Sequence, residues 1–334
     1  MFKDKSILVI GGTGTIGKSL VKTLLKYEPK VIRVLSIDEY EQFKAMNELG
    51  HHKNLRFLYG DVREYERMVR AMEGINIVFH AAALKHVHLC EYNPFEAVKT
   101  NVMGTQNVIE AAINCKVEKV IFTSTDKTIS PTNTYGATKL LAERLISSAD
   151  YSKGAHNTVF AAVRFGNVMG SRGSVIPLFK KQILENRTIT LTDSKMTRFM
   201  MTLSEATNLT IEACKRAQGG EIFVLKMPVI RVSDLAEVVI EETAKLYDIS
   251  KNEISIKEIG LRLGEKMYEE LMTYEESKQA VEFENMFAVP PLFTEKRYSY
   301  GEGNATLQKT YSSNDEEPIS KEDVRQLIVK EGLI

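Results

Sequence analysis

The chain has little cysteine, no excess of either charge and no long apolar run, and each of these excludes a class of protein. Cys90, Cys115 and Cys214 are an odd, scattered set without the spacing of metal ligands, so no disulfide framework, no structural zinc and no other metal is expected. They read as small core residues. Lysine plus arginine and aspartate plus glutamate each number 44, which leaves no global field for nucleic acid or an anionic membrane surface. Any phosphate binding must therefore be local. No window approaches roughly 18 consecutive apolar residues, and no basic region followed by an apolar stretch opens the chain, so a soluble, cytoplasmic protein with no membrane partner is expected.

What the chain does have is alternation. Apolar runs at residues 7–10, 32–35, 55–59, 77–80, 119–123 and 158–163 read as buried parallel strands, separated by helical periodicities at 18–27, 40–49, 64–72, 98–113 and 135–148. Strand and helix in turn predict an α/β fold, a doubly wound parallel sheet of the Rossmann type. After about Gly166 the alternation loosens around Gly170, Gly173, Pro177, Gly219, Gly220 and Pro228, which predicts a smaller C-terminal substrate lobe. The expected organisation is a nucleotide-binding domain over 1–165, with segments near 220–245 returning to it, and a lobe over 166–293. Residues 294–334 read as a polar surface tail carrying Tyr298, Tyr300 and Tyr311, closed by a helix at 321–330.

The first strand runs into Gly11, Gly12, Thr13, Gly14, Thr15, Ile16 and Gly17, and then directly into a helix. Glycines there permit a tight turn, let backbone N–H groups approach a pyrophosphate and let the helix pack on the strand, with its N-terminus facing the anion. A dinucleotide site is the consequence. Ser36, Ile37 and Asp38 close the second strand, where the ribose 2′ position would lie. Asp61 and Val62 follow the third, at an adenine-edge position, and the small side chains of Ala81, Ala82 and Ala83 follow the fourth.

After the fifth strand come Ser124, Thr125, Asp126 and Lys127, then Tyr135 and Lys139. A spacing of four puts the last two on one helical face. A phenol with an ordinary pKa near 10 is a poor base, but an adjacent ammonium stabilises the phenolate and makes it competent to deprotonate an alcohol. Asp126 and Lys127 by themselves read as a solvated ion pair.

The segments STDKTISPTNTYGATKLLAERL, FHAAALKHVHLCEYNPFEAVKTNVMGTQNVI, RFGNVMGSRGSVIPLF, MTRFMMTLSEA, GGEIFVLKMP and GLRLGEKMYEELM together resemble the UDP-N-acetylglucosamine 4,6-dehydratases, in particular the 5-inverting branch that opens pseudaminic acid synthesis, within the extended short-chain dehydrogenase/reductases. The resemblance runs from about Phe2 to Phe293. It implies oxidation at C4 with Tyr135 as base, Lys139 beside it and Thr125 on the C4 oxygen. Lys127, with a pKa lowered by burial and by Lys139, would take the C5 proton, and a protonated Asp126 would give one to the departing C6 hydroxyl.

The same resemblance implies NADP as cofactor, held by Gly11, Thr13, Gly14, Thr15, Ile16, Gly17, Ser36, Asp38, Asp61, Val62, Ala81, Ala82, Ala83, Asn101, Tyr135 and Lys139. It places a UDP-sugar against Lys85, Asn167, Ser174, Val175, Thr192, Arg198, Arg262 and Glu265, and implies a homo-oligomer, either a dimer built on a four-helix contact or a hexamer. Three residues depart from the pattern. Ile37 stands where the inverting enzymes carry an Arg that would pair with a 2′-phosphate, which opens the site to NAD. Leu263 and His88 each replace a Pro. Tyr135, which some configuration-retaining relatives replace with Met, favours the inverting branch. A retaining dehydratase, a 4-epimerase and a non-catalytic NADP-binding regulator are the other readings.

Overall fold

The run Ser6–Ile10 forms strand β1 with every residue buried, as expected of a strand covered on both faces. A computed structural model describes residues 1–334 except Arg172, Leu263, residues 294–297, Glu302 and Leu307. Beside β1 lie β2 (Val31–Ser36), β3 (Leu55–Tyr59), β4 (Ile77–His80), β5 (Lys119–Thr123) and β6 (Val159–Arg164), all parallel and in the order 3-2-1-4-5-6. The order reverses between β1 and β4, the switch point at which such sheets bind ligands beyond the strands' carboxyl ends. Helices α1 (Thr15–Leu25), α2 (Glu39–Leu49) and α3 (Tyr65–Met72) connect the first strands, so the doubly wound α/β fold expected from the sequence is present.

The sheet continues beyond β6. Ile222–Leu225, in the segment near 220–245 expected to return to the first domain, adds a parallel strand, and Met286–Val289, assigned from sequence to the smaller lobe, pairs antiparallel with it in the main sheet. The helix Val232–Leu246 goes the other way. It was placed near the segments returning to the first domain, yet Leu235, Ala236, Val239 and Ile240 pack in a second apolar cluster with Ile176, Phe179, Ile183 and the C-terminal residues Val324 and Ile328. Its apolar face finds a larger partner there than on a sheet already covered by other helices.

The tail also differs from its expected surface position. Tyr311 is buried, Tyr311–Ser312 pairs with Glu270–Met272, and Tyr300 lies edge-on to Phe283 while its hydroxyl donates to Glu221. A two-residue strand has no periodicity to read, which is why the polar composition was misleading. The expected helix over 98–113 is present in two parts, a π-helical turn at Val98–Met103 and an α-helix at Gly104–Asn114.

Candidate active site

The carboxyl ends of β1, β4, β5 and β6 open into a cleft of about 580 Å³. On the β1 side it is lined by Gly11, Gly14, Thr15, Ile16 and Gly17. Gly11 adopts a φ of +74°, and a Cβ there would meet the Ala82 nitrogen at 2.7 Å, so only glycine lets the loop lie against the strand-end alanines. A Cβ on Gly17 would strike the Gly11 oxygen at 2.3 Å. Helix α1 begins after Gly14 with no side-chain cap bond, and its N-terminus lies at the cleft, where the helix dipole favours an anion.

The other expected cofactor residues divide. Ala81 and Ala83 line the cleft, and Thr13 is buried with its hydroxyl on Ser36 Oγ at 2.7 Å, bracing the loop against β2. Asp38 caps α2, accepting from the Glu41 N–H at 3.0 Å. Asp61 pairs with Arg63 at 2.6 Å, while Val62 is buried against Gly104. Asn101 has a structural place, apart from the cofactor contacts that the resemblance implies. Its amide is buried and bonds to both backbone groups of Leu84 and to Thr138 Oγ1, so it clamps the β4 loop and does not line the cleft.

Thr125, Lys127, Tyr135 and Lys139 line the floor. The short turn Asp126–Thr128 packs under the helix Thr134–Ser152 at Gly136, where any Cβ would meet the Lys127 oxygen at 2.3 Å. This approach brings the base candidates together. Asp126 is fully buried; its Oδ1 accepts from Lys127 Nζ at 2.9 Å and from Thr125 Oγ1 at 2.8 Å, and its Oδ2 has no partner among the described residues. The pair that reads as solvated in the sequence is thus an ion pair between a buried Asp126 and a half-buried Lys127 that lines the cleft.

Two electrostatic expectations are corrected. Burial alone would lower the Lys127 ammonium, but Asp126 and Glu269 overcome it and hold the group well above the usual lysine value, contrary to the depressed pKa expected. Burial raises the Tyr135 phenol against the opposing pull of the Lys127 charge and a hydrogen bond with Thr125, so the nearby cation acting on it is Lys127. Lys139 is the lysine that burial lowers, to about 7, with Glu143 opposing. Its Nζ donates to the Thr123 carbonyl at 2.6 Å and lies 3.8 Å from the centre of the Phe122 ring.

On the substrate side Lys85, Asn167, Ser174 and Val175 line the cleft with His86. Asn167 Oδ1 and Ser174 Oγ are buried and have no partner among the described residues, the condition of groups waiting for a ligand. Ser174 is the N-cap of the helix Val175–Asn186 and makes no side-chain cap bond. Arg198 is not in the cleft lining, because its guanidinium donates to the carbonyls of Thr197, Lys266 and Met267. Thr192 is half-buried outside the lining. Arg262 is exposed in a loop that also holds Glu265, whose carboxylate accepts from the Arg262 N–H. That loop docks at the start of the helix Thr134–Ser152 through Thr132 and Asn133, both bonded to the Gly264 carbonyl, and Leu263 lies outside the described residues. The residue that sequence reasoning missed is Glu269, with Oε1 at 3.8 Å from Lys127 Nζ. In the string MYEELM it is one glutamate beside another, and nothing local separates them.

The sheet order, the glycine loop and the Thr125, Tyr135 and Lys139 cluster define an extended short-chain dehydrogenase/reductase. The chain belongs to the polysaccharide biosynthesis protein family, which matches residues 7–291.

Among relatives it is 54% identical over 328 residues to an uncharacterized membrane protein of Methanocaldococcus jannaschii, covering 98% of this chain and 96% of that one. No helix among the described residues is long and apolar enough to cross a membrane. It is 40% identical over 340 residues to the inverting UDP-N-acetylglucosamine 4,6-dehydratase of Campylobacter jejuni, covering 98% of each chain. A protein of Rickettsia rickettsii called UDP-glucose 4-epimerase is 40% identical over 337 residues, covering 98% of this chain and 96% of that one. Among solved structures, Pen from Bacillus thuringiensis is 58% identical with a TM-score of 0.92, covering 100% of this chain and 99% of that one. The dTDP-glucose 4,6-dehydratase DesIV of Streptomyces venezuelae, solved with NAD, shares the fold at a TM-score of 0.70 and 21% identity over 78% of this chain and 86% of that one.

Proposed function

We propose that the protein is a lyase, a nicotinamide-dependent dehydratase that converts UDP-N-acetylglucosamine to a UDP-4-keto-6-deoxy-hexosamine with inversion at C5. The observation that carries this reading is the contact between the buried Asp126 and the half-buried Lys127, 2.9 Å apart beside Tyr135 and Thr125. An ion pair with a buried member is costly to maintain. An acid and a base are what a water elimination needs in addition to the alcohol-oxidising tyrosine.

The glycine cradle and the N-terminus of α1 fit a dinucleotide pyrophosphate, Ala81, Ala83 and Lys139 line the cleft beside it, and Thr13, Ser36 and Asp38 would act at the end of β2. A nicotinamide cofactor held by these residues would supply a reversible hydride acceptor for oxidation at C4 and reduction at C6. Tyr135 takes the C4 hydroxyl proton, with the Lys127 charge and Thr125 favouring its phenolate. The resulting ketone acidifies C5–H. One proton shift across the 2.9 Å contact breaks an N–H bond of Lys127 and forms an O–H bond on Asp126, producing an amine and a carboxylic acid together. The amine takes the C5 proton, the acid protonates the C6 hydroxyl as it leaves as water, and the ion pair is restored. Hydride addition at C6 leaves an enolate whose C5 takes a solvent-exchanged proton on the opposite face, balancing the one that Tyr135 removed from the C4 hydroxyl and releases to regenerate its phenolate.

Asn167, Ser174, Val175 and Lys85, which line the cleft, would hold the nucleotide diphosphate, with Arg262 and Glu265 in the neighbouring loop bonded to Thr132 and Asn133. At the 2′ position, Ile37 is exposed and the basic residues nearest in sequence point elsewhere: Arg33 donates to the carbonyls of Ala71 and Glu73, and Lys44 lies over Tyr40. NADP thereby loses the partner that favours it, and NAD is accepted as well. Leu89, Tyr92, Phe95, Met103 and Leu141 are exposed on helices that pack together, an apolar surface suited to a second copy of the chain in a homo-oligomer.

The 4-epimerase reading is favoured by the name of the Rickettsia relative. An epimerase, however, leaves the Asp126 and Lys127 pair without a task. Incubation with UDP-N-acetylglucosamine in D2O separates the two: a 4-keto-6-deoxy product with solvent deuterium at an inverted C5 is expected. Return of a C4 epimer without loss of water would refute the dehydratase.

A further inference from the structure

Glu269 is 4% exposed, and its carboxylate sits between two cations, with Oε1 at 3.8 Å from Lys127 Nζ and 4.0 Å from Arg198 Nε. Its Oε2 has no hydrogen-bond partner among the described residues. A carboxylate is held in so dry a place only if its surroundings over-determine it. The backbone does so here. The Glu269 N–H donates to Ser313 Oγ at 3.0 Å, the Ser313 N–H donates to the Glu269 carbonyl at 2.9 Å, and the Ser313 hydroxyl meets Thr197 Oγ1 at 3.1 Å. Two residues further on, the Leu271 carbonyl accepts from Arg164 at 2.8 Å, which ties the segment to β6. The C-terminal segment and the main sheet therefore fix a second carboxylate, besides Asp126, within ion-pair distance of Lys127.

We propose that Glu269 is a positioning residue for water elimination: it holds the Lys127 side chain against Asp126 and stabilises the positive charge Lys127 acquires when it takes the C5 proton. This rests on the dehydratase reading. The groups facing Lys127 are Asp126, Tyr135 and Glu269, and those facing Glu269 are Lys127, Asp126, Arg198 and Lys266. Without the Glu269 charge the amine form of Lys127 is a weaker base, and the ammonium loses its proton to solvent at lower pH. Once that proton is lost, Asp126 has none to receive, so elimination has an alkaline limb.

Glu269→Gln tests this in the full-length protein loaded with NAD or NADP. Single turnovers with UDP-N-acetylglucosamine should reduce the nicotinamide at C4 within about threefold of wild type, whereas solvent deuterium incorporation at C5 and loss of water fall at least about tenfold. The alkaline limb of the elimination rate should move down by about one pH unit or more. Equal losses in oxidation and elimination, or an unmoved alkaline limb, overturn the proposal. Should Glu269→Gln fail to fold, Ser313→Ala removes the acceptor of the Glu269 N–H and should produce the same selective loss on a smaller scale; an unchanged balance of oxidation and elimination there overturns it equally. Wild-type protein that never releases water refutes the dehydratase reading itself, whereas a wild type that eliminates beside an equally fast Glu269→Gln refutes only the role of Glu269.

Discussion

Arg164 and Glu143 meet at 2.6 Å with neither side chain exposed, and Arg164 reaches on to Glu276 at 2.9 Å. Ser124 Oγ donates to the same Glu143 at 2.6 Å. The strand end that leads into Thr125 is thus joined to the segment that carries Glu269 by one buried network. Removing one partner leaves an uncompensated buried charge, so Arg164→Leu should destabilise the fold by roughly 3–5 kcal/mol. Urea unfolding followed by circular dichroism measures it; a loss below about 1 kcal/mol would show that the network is dispensable.

Lys127→Ala should abolish release of water while C4 oxidation remains detectable as reduced-nicotinamide absorbance. Loss of a positioned acid–base group costs about 10²–10⁴-fold. Undiminished turnover would remove Lys127 from the mechanism.

Ile37→Arg should shift cofactor binding toward NADP, because a guanidinium at the end of β2 can donate two parallel hydrogen bonds to a 2′-phosphate. The ratio of the NAD and NADP dissociation constants, read by fluorescence quenching, should move by about tenfold or more. An unchanged ratio would place the 2′ position elsewhere.

Lys139 introduces a pH dependence of stability whose sign follows from its environment. Its folded pKa, lowered to about 7, lies below the unfolded value near 10.4. Between these values the unfolded chain binds the extra proton, so stability contributed at this site rises with pH from about 7 to 10. Denaturant midpoints for wild type and Lys139→Met should therefore diverge at neutral pH and converge toward pH 10. Parallel profiles would contradict the buried, depressed ammonium.

Tyr92 is 82% exposed on the apolar helical surface. Tyr92→Glu should convert an oligomer to a smaller species by light scattering, with the far-ultraviolet circular dichroism unchanged. An unaltered mass would place the contact on another face.

The alternation of apolar runs and the glycines from Gly11 to Gly17 were sufficient to read the parallel sheet and its nucleotide loop, because period and turn chemistry are local properties of the chain. The same holds for Tyr135 and Lys139, whose spacing is helical. What the tertiary structure decided is long-range. Asn101, which the resemblance places beside the cofactor, spends its amide on Leu84 and Thr138 because a π-helical turn aims it there. Arg198 serves backbone carbonyls. The polar tail sends Tyr311 inward to the Met227 backbone and Ser313 inward to brace Glu269. Lys127, expected to be depressed by burial, is raised because two carboxylates converge on it, one its immediate neighbour and the other 142 positions along the chain. Charge proximity across such a distance leaves no mark on local composition, since only folding brings the groups within range of each other's fields.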